Sequence, residues 1–318
     1  MKTFSKFFII LAALIVPLLA CSGTPSGGSA FSEGGALVWS DEFEGDSLDL
    51  SKWNTDTGTG KQYGLDGWGN EESQFYKAEN AIVKDGVLYL EVRKDNDEEN
   101  LVDGRFTFPY TSAKVTTGGI MNHDGTVHPP KFTVKPGMRI EARLKTPRGI
   151  GFWPAFWLIG ATTNEYGGEG VKKLGWPRCG EIDILEMRGG IENRLNSAIH
   201  FGPYWPENRS EGNYLDLGDG NMADEWHVYG VTWDANALHF LFDGEAWHTI
   251  DLKQLNKDSK EFYIKEAYGA ATGFIININL AVGGHYISKR LPADEVFEED
   301  APYEDRCFMI DWVRVYQR

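Results

Sequence analysis

Cysteine is scarce in this chain, with three residues in 318, and no CxxC or HxxxH spacing occurs. Zinc ribbons, thioredoxin-like redox centres and disulfide-dense scaffolds are therefore excluded. Basic residues are outnumbered, 31 Lys and Arg against 47 Asp and Glu, for a net charge of −16. Without Lys2 and Lys6 of the first twenty residues the charge deepens to −18. The balance disfavours a nucleic acid or a heavily sulfated polymer as partner, unless a local basic groove overrides it, and favours a neutral one. Long apolar runs are absent too. The longest, Phe7 to Leu19, has thirteen residues, short for a bilayer span but right for the apolar part of a secretory signal. No internal repeat is present.

That apolar run follows a basic start and ends at Leu18-Leu19-Ala20-Cys21. The ending resembles a bacterial lipobox, which implies a signal peptide over 1–20 and lipidation at Cys21. An exported, membrane-anchored lipoprotein is expected, on the cell surface or facing the periplasm. Residues 21–35 are rich in Gly and Ser and read as a flexible tether. Residues 36–318 form one domain. Cys179 and Cys307 each open a probable strand and are read as unpaired thiols.

What the chain has in abundance is Trp, Tyr and Gly, at 11, 13 and 37 residues. Short β-rich segments recur between turn residues: 81–93, 139–145, 152–159, 196–200, 226–233, 238–242, 274–281 and 308–316. Asp85-Gly86 and Asp243-Gly244 each separate two apolar stretches, a strong hairpin signal. One short helix is expected near 251–260. The pattern predicts an all-β sandwich of two antiparallel sheets. Residues 96–136 and 160–178 read as long loops.

Within this pattern one segment is costly. Glu181-Ile-Asp-Ile-Leu-Glu186 puts three carboxylates in six positions of an apolar strand. Side chains alternate faces, so Glu181 and Asp183 point one way and Ile182 and Ile184 the other. Five positions from Glu181, Glu186 would fall on the wrong face. One extra residue, a β-bulge near Ile184–Leu185, would bring it back. Grouped carboxylates could also hold calcium. Three like charges that close resist joint ionisation, so one should keep its proton at neutral pH. A proton donor beside an ionised carboxylate is the equipment of a glycosidase. With the bulge, the two Glu Cα atoms lie about 13 Å apart. Their side chains can close to roughly 5–6 Å, the spacing of retaining enzymes.

The segment resembles the longer, bulged signature of glycoside hydrolase family 16, in its laminarinase-like branch. Five further motifs match in order: Leu37-Val-Trp-Ser-Asp-Glu-Phe43, Trp68-Gly-Asn-Glu-Glu-Ser-Gln-Phe-Tyr76, Gly151-Phe-Trp-Pro-Ala-Phe-Trp157, Trp176-Pro-Arg-Cys-Gly180, and Asn279-Leu-Ala-Val-Gly-Gly284 with Ile310-Asp-Trp-Val-Arg-Val-Tyr316. The resemblance implies a β-jelly-roll sandwich of two curved antiparallel sheets with a concave substrate cleft. It makes Glu181 the nucleophile, Glu186 the general acid/base and Asp183 an assistant that tunes Glu181. No cofactor is needed for catalysis.

Sugar rings stack their C–H faces on indoles. Trp153 and Trp157 share one strand face and are expected in the cleft, with Phe152 and Phe156 in the core. Trp176, Asn70, Glu71, His200 and Asn279 are further substrate-binding candidates, with His200 expected to contact Glu186 or the leaving sugar. Glu42, Gly45 and Asp311 match the family's structural calcium positions. Otherwise only a polysaccharide partner is expected, with the chain a monomer.

The expected reaction is endo-cleavage of β-1,3- or mixed-linkage β-1,3/1,4-glucan by double displacement. Known substrates of the branch extend to agar-type galactans and mucin chains, so an endo-β-galactosidase is the alternative. A non-catalytic glycan-binding protein is a third reading, disfavoured because such relatives lack the two glutamates. The stretches 122–135, 161–173 and Pro203-Tyr204-Trp205 depart from common laminarinases and bear on which sugar is chosen.

Overall fold

The computed structural model describes residues 34–94, 102–103, 106–161, 175–234, 236–259, 263–269, 273–287 and 301–318. The expected signal peptide, Cys21, most of the expected tether and residues 162–174 of the second expected loop lie outside them.

Fifteen strands build two antiparallel sheets. In chain order they are β1 (Ala36–Asp41), β2 (Asn54–Asp56), β3 (Ala81–Lys84), β4 (Val87–Glu91), β5 (Lys114–Thr116), β6 (Met138–Lys145), β7 (Phe152–Gly160) and β8 (Glu181–Met187), then β9 (Arg194–Phe201), β10 (Arg209–Asp216), β11 (His227–Trp233), β12 (Ala237–Phe242), β13 (Glu245–Asp251), β14 (Phe274–Val282) and β15 (Cys307–Gln317). One sheet runs β13-β12-β11-β6-β15-β4-β3, with β1 also on β15, and the other runs β10-β9-β8-β7-β14-β5-β2. Neighbours far apart in sequence, such as β7 and β14, make this the jelly roll expected. Both hairpin signals hold. Asp85-Gly86 joins β3 to β4 and Asp243-Gly244 joins β12 to β13, all four residues at positive φ.

The alternation of β14, Phe-Ile-Ile-Asn-Ile-Asn-Leu-Ala-Val, explains its central place. Phe274, Ile276, Ile278, Leu280 and Val282 enter the core between the sheets. Asn277, Asn279 and Ala281 face the opposite side, where the cleft lies. Trp53, Phe152, Phe156, Phe240 and Phe308 fill the same core without exposure. At about 25 cal/mol per Å2 of apolar surface, such burial dominates the stability of the sandwich.

Three features differ from expectation. Residues 96–136 are not one loop, since they contain β5 and short paired segments at Ile120–Met121 and Val127–His128. A strand of three residues is too brief to display a period. The expected helix is found at Leu252–Ser259, but a second follows at Tyr263–Tyr268. And β10, Arg-Ser-Glu-Gly-Asn-Tyr-Leu-Asp, is polar and largely exposed. Such composition suits an edge strand, where charges discourage pairing with other chains. Cys179 and Cys307 are both buried and are not joined in a disulfide, as the sequence suggested.

Candidate active site

The predicted bulge is present. Across β8 and β9, Asp183 pairs with Ala198 while Glu186 pairs with Asn196, so three steps on one strand oppose two on the other. Across β7 the same slip falls between Leu185, opposite Phe156, and Asp183, opposite Trp157. The extra residue is Ile184. Its carbonyl accepts a 2.7 Å hydrogen bond from Ser197 Oγ, which satisfies a group the ladder would otherwise leave unpaired. Ile184 and Leu185 both reach the core, and the parity flips between them. Glu181, Asp183 and Glu186 consequently share one face. Gly180 sets the strand's entry at φ 83°, and a Cβ there would come within 3.0 Å of Ala267. Only glycine meets both conditions without strain.

The three acids line a cleft of about 100 Å3 together with Asn70, Glu72, Trp153, Ala155, Trp157, Asn279 and Ala281. Trp153 and Trp157 are on the cleft side as expected, with Phe152 and Phe156 in the core. Both oxygens of Glu186 are held. Trp153 Nε1 donates to Oε1 at 3.0 Å and Asn196 Nδ2 donates to Oε2 at 2.9 Å. Burial raises the Glu186 pKa, and the negative charge of Asp183 raises it further. Glu181 is raised by the same two causes in the same order. The cluster therefore retains a proton into the neutral range.

His200 sits apart from Glu186. Its Nε2 lies 3.3 Å from Asp183 Oδ2 and 3.8 Å from Glu181 Oε1, which corrects the expected contact. Register explains it, because His200 pairs with Glu181 across the ladder and Asn196 takes the place beside Glu186. Burial disfavours its imidazolium, but the hydrogen bond and charge of Asp183, with the two glutamates, outweigh that and raise the pKa to about 10. A cation beside Glu181 favours its ionised form. His200→Ala should therefore leave Glu181 protonated to higher pH and move the ascending limb of the kcat/KM profile up by about one unit. An unmoved limb would show that His200 does not tune Glu181.

Trp176, 37% exposed, stands 6.0 Å from the His200 ring and is near enough to Glu181 to favour its ionised form. Asn279 accepts from Trp157 Nε1 at 2.7 Å and donates to Tyr76 Oη at 3.1 Å, so it braces an aromatic floor. Asn70 reaches the cleft, but Glu71 does not. Glu71 is exposed at φ 56°, and the adjacent Glu72 takes the cleft position. Glu72 accepts from Asn70 and Gln74, and burial raises its pKa against those bonds and the charge of Lys114. The one-residue displacement follows from the left-handed turn at 67–71, which a simple count along the motif does not foresee. Asn196, Gln74 and Tyr286 were likewise missed. Gln74 lies inside the quoted Trp68–Tyr76 motif and Asn196 opens the segment 196–200, while Tyr286 follows the Asn279–Gly284 motif by two residues.

Glu181, Asp183 and His200 offer atoms within 4.8 Å of one another that could hold a cation. On the other sheet, Glu42 accepts two bonds from Arg314, at 3.0 and 2.7 Å, and Asp311 accepts from Arg143 at 2.6 Å. A calcium ion at Glu42, Gly45 and Asp311 would have to displace both guanidinium groups. As arranged, these carboxylates fit arginine, not calcium.

A family model described as the GH16 domain of β-porphyranases A–D matches residues 37–318. The glucan endo-1,3-β-glucosidase A1 of Niallia circulans is 32% identical over 88% of this chain, which spans 38% of that protein. The glucan endo-1,3-β-glucosidase of Cryptopygus antarcticus is 30% identical, over 90% of this chain and 93% of its own length. Among solved structures, the laminarinase catalytic domain of Thermotoga maritima superposes with a TM-score of 0.70 at 32% identity, covering 90% of this chain and 99% of that one.

Proposed function

This chain belongs to glycoside hydrolase family 16, and from that premise we propose that it cleaves internal bonds of β-1,3- or mixed-linkage β-1,3/1,4-glucan with retention of configuration. One observation carries the chemistry: Glu181 and Glu186 share a face of one strand in a tryptophan-lined cleft. Glu186 gives its proton to the leaving oxygen while Glu181 attacks the anomeric carbon and forms a glycosyl ester. Glu186, now ionised, takes a proton from water, which displaces Glu181 and frees the sugar. A sugar hydroxyl in place of water gives transglycosylation. Asp183 and the His200 imidazolium tune Glu181 between the two steps. The glucanase relatives support the sugar assigned.

A second reading, an endo-β-galactosidase on a galactan or mucin-type chain, draws support from the porphyranase description of the matching model. Incubation with laminarin, barley glucan, agarose, porphyran and mucin glycans, followed by sizing of the products, separates the two. Mid-sized oligosaccharides from either glucan support the first reading. Products from galactan or mucin alone overturn it, and binding without cleavage leaves a glycan-binding protein.

Anchoring through Cys21 belongs to the same reading of an exported enzyme. Cys21→Ser is expected to release the protein from the membrane fraction, and unchanged retention would refute the lipid anchor. With Glu42 and Asp311 paired to Arg314 and Arg143, added calcium or EDTA is expected to leave the Tm unmoved. A rise with calcium and a fall with EDTA would restore a structural calcium at Glu42, Gly45 and Asp311.

A further inference from the structure

One donor that holds Glu186 leans on a third residue. Tyr286 stacks on Trp153, with ring centroids 4.9 Å apart and planes inclined by 29°. Burial raises the pKa of its hydroxyl, and the Asn196 side chain works against that rise. Tyr286 stands outside the strands, yet both of its neighbours are pinned. The His285 backbone N–H donates to Asn70 O at 2.8 Å, and Arg188 Nη2 donates to Ile287 O at 2.6 Å. Arg188 lies two residues beyond Glu186, so the loop is tied to the end of the catalytic strand.

We propose that Tyr286 is the positioning residue of the acid/base, locking Trp153 in the pose from which it fixes Oε1 of Glu186. The proposal rests on the reading of Glu186 as the proton donor. A glutamate has three side-chain torsions, and proton transfer requires the carboxyl within about 3 Å of the leaving oxygen. Trp153 rises from the open face of the sheet, where its indole has no core neighbours to fix its rotamer. Tyr286 supplies that missing wall. Glu186 is faced by Asp183 and His200, and Tyr286 in turn by Tyr214 and Arg188.

The test compares two substrates. One is the polymer that the wild type degrades. The other is a 2,4-dinitrophenyl β-glycoside of the sugar it releases, whose leaving group departs without protonation. With the polymer, kcat should fall about 100-fold in Tyr286→Ala and stay within about twofold of the wild type in Tyr286→Phe, which keeps the stack, while KM stays within about twofold in both. The loss on the polymer should exceed that on the aryl glycoside by about tenfold or more in Tyr286→Ala. Equal losses on the two substrates, or a rise in KM alone, would overturn the proposal and make Tyr286 a structural or sugar-binding residue.

A second readout needs no substrate. Infrared titration of the carboxyl, with Glu186→Gln as the blank, should place Glu186 about half a unit or more higher in Tyr286→Ala, because the freed Trp153 no longer donates to its ionised form. A wild type that cleaves no glycan would refute the parent reading of Glu186. The titration would then decide for Tyr286 alone, and an unmoved Glu186 would overturn its role.

Discussion

Glu181→Ala is expected to lose hydrolysis of every glycan the wild type accepts, by about 10⁴- to 10⁶-fold in kcat. No neighbour can stand in for it. Asp183 shares the face but has a shorter side chain, and His200 is held against both acids. The fold should survive, because the change removes a carboxyl whose burial costs stability. The decisive observation is chemical rescue. Azide can enter the space that Glu181 leaves and attack the anomeric carbon from its side, with Glu186 still protonating the leaving oxygen. The product would be a glycosyl azide of inverted configuration. Near-normal turnover without azide would move the nucleophile elsewhere.

The second large effect is expected at Glu186. Glu186→Ala should lower kcat on polymer by about 10²- to 10⁴-fold. An aryl glycoside with a good leaving group should still form the glycosyl-enzyme, since that step needs no proton. The intermediate would then wait for a base. Azide needs none, so it should restore turnover and give the glycosyl azide with net retention, opposite in configuration to the Glu181→Ala product. The alkaline limb of the pH profile should also vanish. That limb marks loss of the Glu186 proton, whose affinity burial and Asp183 raise. An exchange of the two azide products between the variants would exchange the assigned roles.

Much of this site could be read from residues alone, because strand parity is strict. Glu181 and Glu186 cannot share a face without an extra residue, and the ladder places it at Ile184. The same logic exposes a second bulge that was not foreseen. Phe308 and Ile310 enter the core, as do Val313 and Val315, so parity changes between Ile310 and Val313, and the β6 ladder slips there. The core face of β7 and the two Asp-Gly hairpins were legible for similar reasons of period and turn chemistry. What escaped depends on partners distant in sequence. Asn196 serves Glu186 because of register with a neighbouring strand, and Tyr286 reaches Trp153 across more than 130 positions. Glu72 replaced Glu71 because a left-handed turn shifts which side chain faces inward. The polar strand β10 carries no period of its own and takes its conformation from β9.

Both catalytic carboxylates ride on one strand that has partners on either side. Their separation is consequently a property of a single covalent segment. It needs no closing lid, no second domain and no subunit to assemble it. The rest of the cleft, by contrast, comes from loops and side chains of other strands. Chemistry and sugar choice thus sit on separable parts of the molecule. Exchanging the walls around β8 should change which polymer is cut while the stereochemical outcome stays constant, which makes the strand a portable cutting head for engineering.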